Sequence, residues 1–227
     1  MASKYFIYLT GGDRSRKADF QAEYLRAARE IAAAAPLGGK LIVNLVEKTP
    51  EGVPFRPVNR HSEVTDPIYD VIAELSPPAG EAEPALAALA SCVNDVTTTE
   101  IYQVEEIIQL DRQAVMLGER SPGIKYIGRL SFHPDLPASA ARRSWDIHVP
   151  LALRVHVGMD KYVRNWIVDA SRGRPADGIA ELNFPTLDDM LMRYFDSDRG
   201  REEIMHDISH FIVSGTRFFT SEFVLRK

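Results

Sequence analysis

The amino-acid sequence predicts an α+β protein in which two βαββαβ units of one chain close into a single barrel. Strand-like and helix-like segments follow one another in the order βαββαβ over the first half of the chain. Short stretches of that half recur in the second half in the same order. A four-stranded antiparallel sheet with helices on one face leaves its other face bare, so two such sheets facing each other would cover both.

The elements of the first unit are separated by glycine pairs and polar loops. Strand periodicity covers residues 4–10, 40–47, 68–75 and 98–110, and helix-forming residues cover 17–35 and 81–93. Gly11-Gly12 closes the first strand, and Gly38-Gly39 closes the first helix. This order is that of a split βαβ, or ferredoxin-like, unit, which we assign to residues 1–112.

The second unit, residues 122–227, repeats the first at nearly constant spacing. Residues 125–131 match 4–10, and residues 165–168 match 44–47, both at a spacing of 121 positions. Residues 177–182 match 70–75 at a spacing of 107. Residues 216–225 match 99–108 at a spacing of 117. A shorter loop at 170–176 accounts for the smaller spacing. Residues 111–123, which contain Gly118 and a Ser-Pro-Gly turn, are the predicted linker.

Composition excludes several classes of function. A net charge of −5, without any run of Lys or Arg, argues against a nucleic-acid surface. No apolar segment approaches the length of a membrane span. Cys92 is the single cysteine, so no internal disulfide can form and a reducing cytoplasm is the expected location. The sequence has no phosphate-binding glycine loop, serine elbow or cysteine cluster, and we expect neither a metal nor a cofactor.

The main candidate for chemistry is His148, in a helix of the second unit. At about 100° per residue, Trp145, His148, Ala152 and His156 share one apolar stripe roughly 80° wide. Pro150 removes a helical hydrogen bond beside this stripe, and Gly158 is the expected end of the helix. A histidine in an apolar setting has a lowered pKa and serves as a general acid/base. The alternative is a buried histidine held by backbone groups.

The repeat supplies an internal comparison for this stripe. At a spacing of 121 the residue pairs are Trp145 with Tyr24, His148 with Ala27, His156 with Ala35 and Tyr162 with Leu41. The fold therefore does not require the ionisable groups, and we expect a single site in the C-terminal half.

Further residues are weaker candidates. Tyr162 is a possible donor to a substrate oxygen, and His156 is a second acid/base candidate or a simple partner of the helix dipole. Trp145 is a pocket wall or a core residue, while Glu181 matches Glu74 and therefore also suits a structural role. Other candidates for substrate contact are Asn165, His133, Arg174 and, in the long loop after the second strand, His61 with Arg56 and Arg60. His206 and His210 have the spacing of a metal pair but lie on a face opposite the apolar one.

Four motifs of the second half resemble those of the EthD-like family of dimeric α+β barrel proteins. They are Trp145-x-x-His148-x-Pro-Leu151, Tyr162-x-x-Asn165, Asp177-Gly-x-x-Glu181 and Asp207-x-x-x-Phe211. The first half looks like a degenerate copy, with Asn44 and Asp70-x-x-x-Glu74 but without the Trp-x-x-His-x-Pro-Leu signature.

The resemblance implies a barrel that relatives usually build from two chains and that is fused here. Relatives decarboxylate, dehydrate, cyclise, isomerise or oxygenate small aromatic or polyketide-like compounds, commonly with a histidine and a tyrosine. We therefore expect a cofactor-independent lyase or isomerase acting on a small hydrophobic or aromatic carbonyl compound, with a homodimer left open. The alternatives are a non-catalytic binding protein that serves an oxygenase system, a haem-binding protein or a cofactor-free monooxygenase.

Overall fold

The computed structural model describes residues 3–34, 39–54 and 68–227 of the chain. The strands are β1 (Lys4–Gly11), β2 (Lys40–Glu47), β3 (Val71–Ser76), β4 (Val96–Asp111), β5 (Ile124–Phe132), β6 (Lys161–Arg172), β7 (Gly178–Phe184) and β8 (Ile212–Arg226). The helices are α1 (Lys17–Ala34), α2 (Ala82–Ala90), α3 (Ala138–Val155), α4 (Leu187–Arg193) and α5 (Asp198–Ser209), with a 3-10 turn at Arg14–Arg16. No helix in these described ranges has the length and apolar character needed to cross a membrane.

The eight strands form a closed barrel in the order β1-β3-β2-β8-β5-β7-β6-β4. Every strand pairing is antiparallel. The two halves are joined twice, by β2 with β8 and by β4 with β6. Each half-sheet thus covers both edges of the other, so the closed barrel formed by the described strands has no open edge. The predicted α+β barrel of two ferredoxin-like repeats is confirmed.

Strand register shows where the repeat is aligned and where the predicted spacing was wrong. Phe6 pairs with Glu74 in the first half and Ile127 with Glu181 in the second, which reproduces the spacings of 121 and 107. For the last strand, however, Glu222 lies opposite Asn44 as Glu106 lies opposite Asn165, so the spacing is 116 and not 117.

The one-residue difference decides which face of the strand a glutamate occupies. Glu106 points inward to Lys4 (2.7 Å), as Glu222 points inward to Lys125 (2.8 Å). Glu105, which a spacing of 117 would match with Glu222, instead forms an ion pair with Arg142 of α3.

Two element boundaries also differ from the sequence prediction. β3 begins at Val71 because the Asp70 side chain accepts a hydrogen bond from the Gly11 amide (2.9 Å) and so closes the preceding loop. α3 begins at Ala138 and ends at Val155, before Gly158, with His156 as its C-terminal cap. Pro150 lies inside this helix, which continues for five residues beyond it.

A buried ion network fills part of the barrel interior. The Lys4 ammonium lies 2.8 Å from Glu74 and 2.6 Å from Glu181, and the Lys125 ammonium also contacts both glutamates. Burial alone lowers the pKa of a lysine, but attraction by Glu181 and its neighbours outweighs burial and raises the pKa of both lysines above the ordinary value. Burial likewise raises the pKa of Glu74, yet the two lysines hold it well below its ordinary value. The network ties the two halves together.

Helices cover the outer face of each half-sheet. In the first half α1 and α2 pack on β1, β2 and β3, and the core includes Ile7, Leu9, Tyr24 and Leu86. In the second half α3, α4 and α5 cover β5 to β8. The strand residues that alternate with these face the barrel interior, where aromatic side chains surround Arg129 at one end. The space between helices and sheet of the second half is where the candidate site lies.

Candidate functional site

A cavity of about 90 Å³ lies between the three C-terminal helices and the outer face of their sheet. Most of its wall is apolar and comes from α3, α4, α5 and the adjacent strands. The side chains with chemical capacity in the wall are His148, His156, Tyr126, Tyr162, Tyr194 and Arg217. A mostly apolar wall with a few convergent polar groups is the usual lining of a ligand site.

His148 is held by a carboxylate from a different helix. Its Nδ1 lies 2.6 Å from Oδ2 of Asp207 in α5, and its ring lies against Phe211. A carboxylate oriented in this way accepts the hydrogen on Nδ1, so Nε2 is the nitrogen left for a ligand in the cavity. The same contact would stabilise the imidazolium that forms when Nε2 takes a proton.

From the sequence, Asp207 was named only as part of the Asp207-x-x-x-Phe211 motif and not as a partner of His148. Its contact with His148 joins α3 to α5 across 59 positions of sequence, and helix periodicity within one element does not reveal such a pair. The available signal was the Asp207-x-x-x-Phe211 motif, because both of its named residues contact His148, Asp207 from α5 and Phe211 from the turn that follows it.

His156 is a different kind of histidine. Its Nδ1 donates to the carbonyl oxygen of Tyr194 (2.6 Å), and the ring is buried. Burial lowers the pKa of His156 to about 4, which outweighs the opposing effect of the Tyr194 carbonyl. His156 is therefore neutral near pH 7 and presents an Nε2 lone pair, which can accept a hydrogen bond but donate none.

Tyr162 and Trp145 form a hydrogen-bonded pair in the wall. Trp145 Nε1 can only donate, so the Tyr162 oxygen accepts (3.0 Å) and its own hydrogen can be donated to a ligand. Burial raises the pKa of Tyr162 far above its ordinary value, which keeps the phenol protonated as a donor. Trp145 packs against Trp166 and over Gly178, where an added Cβ would approach the Trp145 ring to 2.6 Å.

Tyr126 of β5 and Arg217 of β8 form a second polar pair, which the sequence reasoning missed. Arg217 Nε donates to the Tyr126 hydroxyl (3.2 Å). The Tyr126 ring folds over Gly128, the residue that pairs directly with Arg217, and a Cβ at Gly128 would lie 2.8 Å from the Tyr126 oxygen. Period-2 alternation along β5 could have placed Tyr126 on the outer face with Leu130.

Four predicted site residues do not line this cavity. Asn165 and Glu181 face the barrel interior, where the Asn165 amide donates to the Glu181 carboxylate (2.8 Å) beside the buried lysines. His133 donates from Nε2 to the Ser209 carbonyl (3.0 Å) at the surface. Arg174 forms an ion pair with Glu100 (3.0 Å) at the end of the barrel that carries Arg129.

The structure gives no support for a site at the remaining candidate residues within the described ranges. His206 and His210 are exposed and contact each other. Among the residues that the structure describes, no group of three or more His, Cys, Asp or Glu side chains is arranged to hold a metal ion. Burial raises the pKa of the Cys92 thiol to about 11, so it is not a thiolate near pH 7. Arg56, Arg60 and His61 lie outside the described residues.

The corresponding region of the first half is packed. Tyr24, Ala27 and Leu41, the counterparts of Trp145, His148 and Tyr162, are all buried in the N-terminal core. Ala35, the counterpart of His156, lies outside the described residues.

Comparison with known proteins supports the fold. No family model matches the chain, and no curated protein matches its sequence. Among solved structures, an anthrone oxidase-like protein is similar over 100% of this chain and 94% of its own, with TM-score 0.62 and 10% identity. A candidate monooxygenase from Lactobacillus acidophilus NCFM is similar over 100% and 98%, with TM-score 0.58 and 8% identity.

A chlorite dismutase mutant from Candidatus Nitrospira defluvii, in complex with cyanide, is similar over 97% of this chain and 90% of its own, with TM-score 0.52 and 9% identity. At such low identities the likeness shows a shared α+β barrel architecture and nothing finer. It does not carry over an activity.

Proposed function

We propose that the protein is a cofactor-independent lyase or isomerase in which His148 moves a proton on a small carbonyl compound. The observation that carries the proposal is the His148–Asp207 pair beside a cavity whose wall is mostly apolar. A histidine in that setting takes a proton with Nε2 while the carboxylate stabilises the resulting imidazolium. The EthD-like motif Trp145-x-x-His148-x-Pro-Leu151 supports the same assignment, and we place the chain near that family.

The chemistry follows from the groups around the cavity. His148 Nε2 removes a proton from the carbon next to the carbonyl group. The electron pair of the broken C–H bond stays on the substrate, which becomes an enolate. The phenolic hydrogen of Tyr162 is donated to the enolate oxygen, where negative charge develops. Return of the proton to another carbon gives an isomer, whereas loss of a leaving group with its electron pair gives a lyase reaction. His156, neutral and unable to donate from Nε2, accepts a hydrogen bond from a substrate hydroxyl.

Cavity size limits the substrate. A cavity of roughly 150 Å³ holds a benzene ring, and the volume here is about 90 Å³. A compact aliphatic carbonyl compound fits directly, and a single aromatic ring fits when the side chains at the mouth move outward. Haem, which is larger than either, does not fit this cavity.

A second candidate is cofactor-free oxygenation, which the similarity to an anthrone oxidase-like structure favours. The same enolate would react with dioxygen, so that one oxygen atom replaces two hydrogens of a methylene group and the other leaves as water. Both candidates share proton removal by His148 and differ in the need for dioxygen.

The proposal is tested by proton exchange between carbonyl compounds and D₂O, followed by NMR under nitrogen. The wild-type protein should catalyse deuterium incorporation into at least one compact ketone, and His148→Gln should slow it by about 10²–10⁴-fold. Asp207→Asn should also slow the exchange, because His148 would lose the partner that orients it. His133→Gln, a surface histidine outside the cavity, is the matched control and should keep the wild-type rate.

Exchange that persists in His148→Gln would refute the role of His148. Ligands that bind without any exchange would support the non-catalytic binding protein instead. Dioxygen consumption with the same ligand, lost in His148→Gln, would identify the oxygenase.

A further inference from the structure

The wall of the cavity holds a hydrogen-bond acceptor without a partner, Nε2 of His156. The Nδ1 of this histidine donates to the Tyr194 carbonyl oxygen (2.6 Å), which can only accept. The rings of Tyr194 and Phe195 lie against the imidazole, with centroids 4.4 and 5.8 Å away, and hold its orientation. Among the residues that the structure describes, none donates a hydrogen bond to Nε2. Because His156 lines the cavity and is only 7% exposed, this acceptor is matched by a donor inside the cavity or not at all.

The protonation state of His156 makes this acceptor selective for one kind of ligand group. Burial, and to a smaller extent the nearby His148, lowers the pKa of His156 to about 4, against the opposing effect of the Tyr194 carbonyl. The ring is therefore neutral near pH 7, with its hydrogen on Nδ1 and a lone pair on Nε2. That lone pair is matched by a hydroxyl group, which carries a hydrogen, and is left unmatched by methyl, ether or carbonyl groups. A buried acceptor that stays unpaired is costly, so the wall favours a hydroxylated ligand.

The spacing of the two histidines fixes where on the ligand this hydroxyl lies. His148 and His156 both face the cavity and are eight positions apart along the chain, with Ala152 between them in the wall. Eight positions correspond to roughly 12 Å of helix rise. When about 3 Å is allowed for the contact with each histidine, the reacting carbon and the hydroxyl oxygen of one ligand lie roughly 6 Å apart. The hydroxyl therefore belongs at the end of the ligand remote from the reacting carbon.

We infer that the ligand is a hydroxylated carbonyl compound whose remote hydroxyl donates to His156 Nε2 while its carbonyl end lies at His148 and Tyr162. This inference rests on the proposed function for the carbonyl end and deepens it by naming the second functional group of the substrate. A hydroxyl in the para position of an aromatic ring, or at the end of a short open chain, has the required distance from the reacting carbon. Because it lies away from the proton-transfer groups, this hydroxyl is retained in the product and is not the leaving group.

Binding measurements test the hydroxyl end without any need for turnover. NMR titration at pH 7 gives dissociation constants for two pairs of ketones that share shape and differ by a hydroxyl in place of a methyl group. The open-chain pair is 5-hydroxypentan-2-one and hexan-2-one, and the ring pair is 1-(4-hydroxyphenyl)propan-2-one and 1-(4-methylphenyl)propan-2-one. The wild-type protein should bind the hydroxyl member more tightly in at least one pair. The preference should fall by about 5–50-fold in a variant without the acceptor, as expected for one buried hydrogen bond.

His156→Asn is the variant that removes the acceptor alone. The asparagine amide reaches the position of Nδ1 and can still donate to the Tyr194 carbonyl, but it places no atom where Nε2 was. His156→Gln reaches the position of Nε2 with an amide oxygen and should keep part of the hydroxyl preference. His206→Asn replaces an exposed histidine of α5 outside the cavity wall and should behave as the wild type.

A variant at the other histidine separates failure of this inference from failure of the proposed function. His148→Gln should keep the hydroxyl preference while losing proton exchange, because the two ends of the ligand are bound by different residues. A hydroxyl preference that depends on His156, in a protein that exchanges no protons, would support the hydroxyl end and count against the proposed function. Equal binding within both wild-type pairs would show that Nε2 does not recognise a ligand hydroxyl and would overturn the inference. A preference that survives in full in His156→Asn would overturn it as well.

Discussion

The buried His156 makes the stability of the protein depend on pH in a way that can be worked out from the structure. Burial lowers its pKa from the ordinary 6.5 to about 4 in the native state. The unfolded chain therefore binds a proton between about pH 6.5 and pH 4 where the native protein does not, so stability falls as the pH falls through that window. Each tenfold difference in proton affinity corresponds to about 1.4 kcal/mol, which gives a loss of about 3 kcal/mol at pH 4 relative to pH 7.

Urea unfolding of the wild type and of His156→Gln at pH 7, 6, 5 and 4 measures this contribution. Glutamine does not titrate, so the variant should lose about 3 kcal/mol less than the wild type over the series, whatever its stability at pH 7. All other residues are the same in the two proteins, so the comparison isolates the contribution of position 156. His133→Gln, which removes a surface histidine, should follow the wild type. Parallel curves for the wild type and His156→Gln would show that His156 binds protons equally in the native and unfolded states and would refute the reasoning.

Two further predictions concern the framework around the site. Lys125→Met leaves Glu74 and Glu181 with one cation fewer in the barrel. Thermal or urea unfolding should therefore show a free energy of unfolding lower by about 3–5 kcal/mol. The control Arg26→Met breaks an exposed ion pair with Glu30 and should lower the free energy of unfolding by less than about 1 kcal/mol. Gly178→Ala places a methyl group 2.6 Å from the Trp145 ring, so Trp145 must move. We expect about 1–3 kcal/mol of destabilisation and slower proton exchange on the substrate. An unchanged exchange rate would contradict the role proposed for the hydrogen-bonded pair of Trp145 and Tyr162.

The barrel could be predicted because residues at equivalent positions of the sequence repeat contact one another in the fold. Lys4 and Lys125, and Glu74 and Glu181, were matched from sequence as equivalent positions, and all four lie in one buried network. The spacing of the last strand was wrong by one because either of two adjacent glutamates, Glu105 and Glu106, can be aligned with Glu222. Only the strand pairing of Glu222 with Asn44 decides between them.

The site residues on the helix were predicted correctly to face the cavity, whereas only some of those predicted on the strands do so. His148, His156 and Trp145 face the cavity because a period of 3.6 residues fixes one face of α3. Tyr162 and Asn165 are three positions apart on one strand and must therefore face opposite sides, so both could not have been substrate contacts. The contact of His148 with Asp207 is tertiary, between α3 and α5, and no local pattern contains it.

Comparison of the two halves of the chain distinguishes residues that the fold requires from residues that it does not. The buried lysine–glutamate network has members in both halves, as expected of a feature that closes the barrel. His148 and Tyr162 stand where Ala27 and Leu41 pack the first half without polar groups. A neutral histidine or a phenol in such a core costs stability compared with alanine or leucine, and His156 alone weakens the fold in acid. Residues that make the fold less stable, cluster around one cavity and are absent from its internal copy are best explained by binding and chemistry at that cavity.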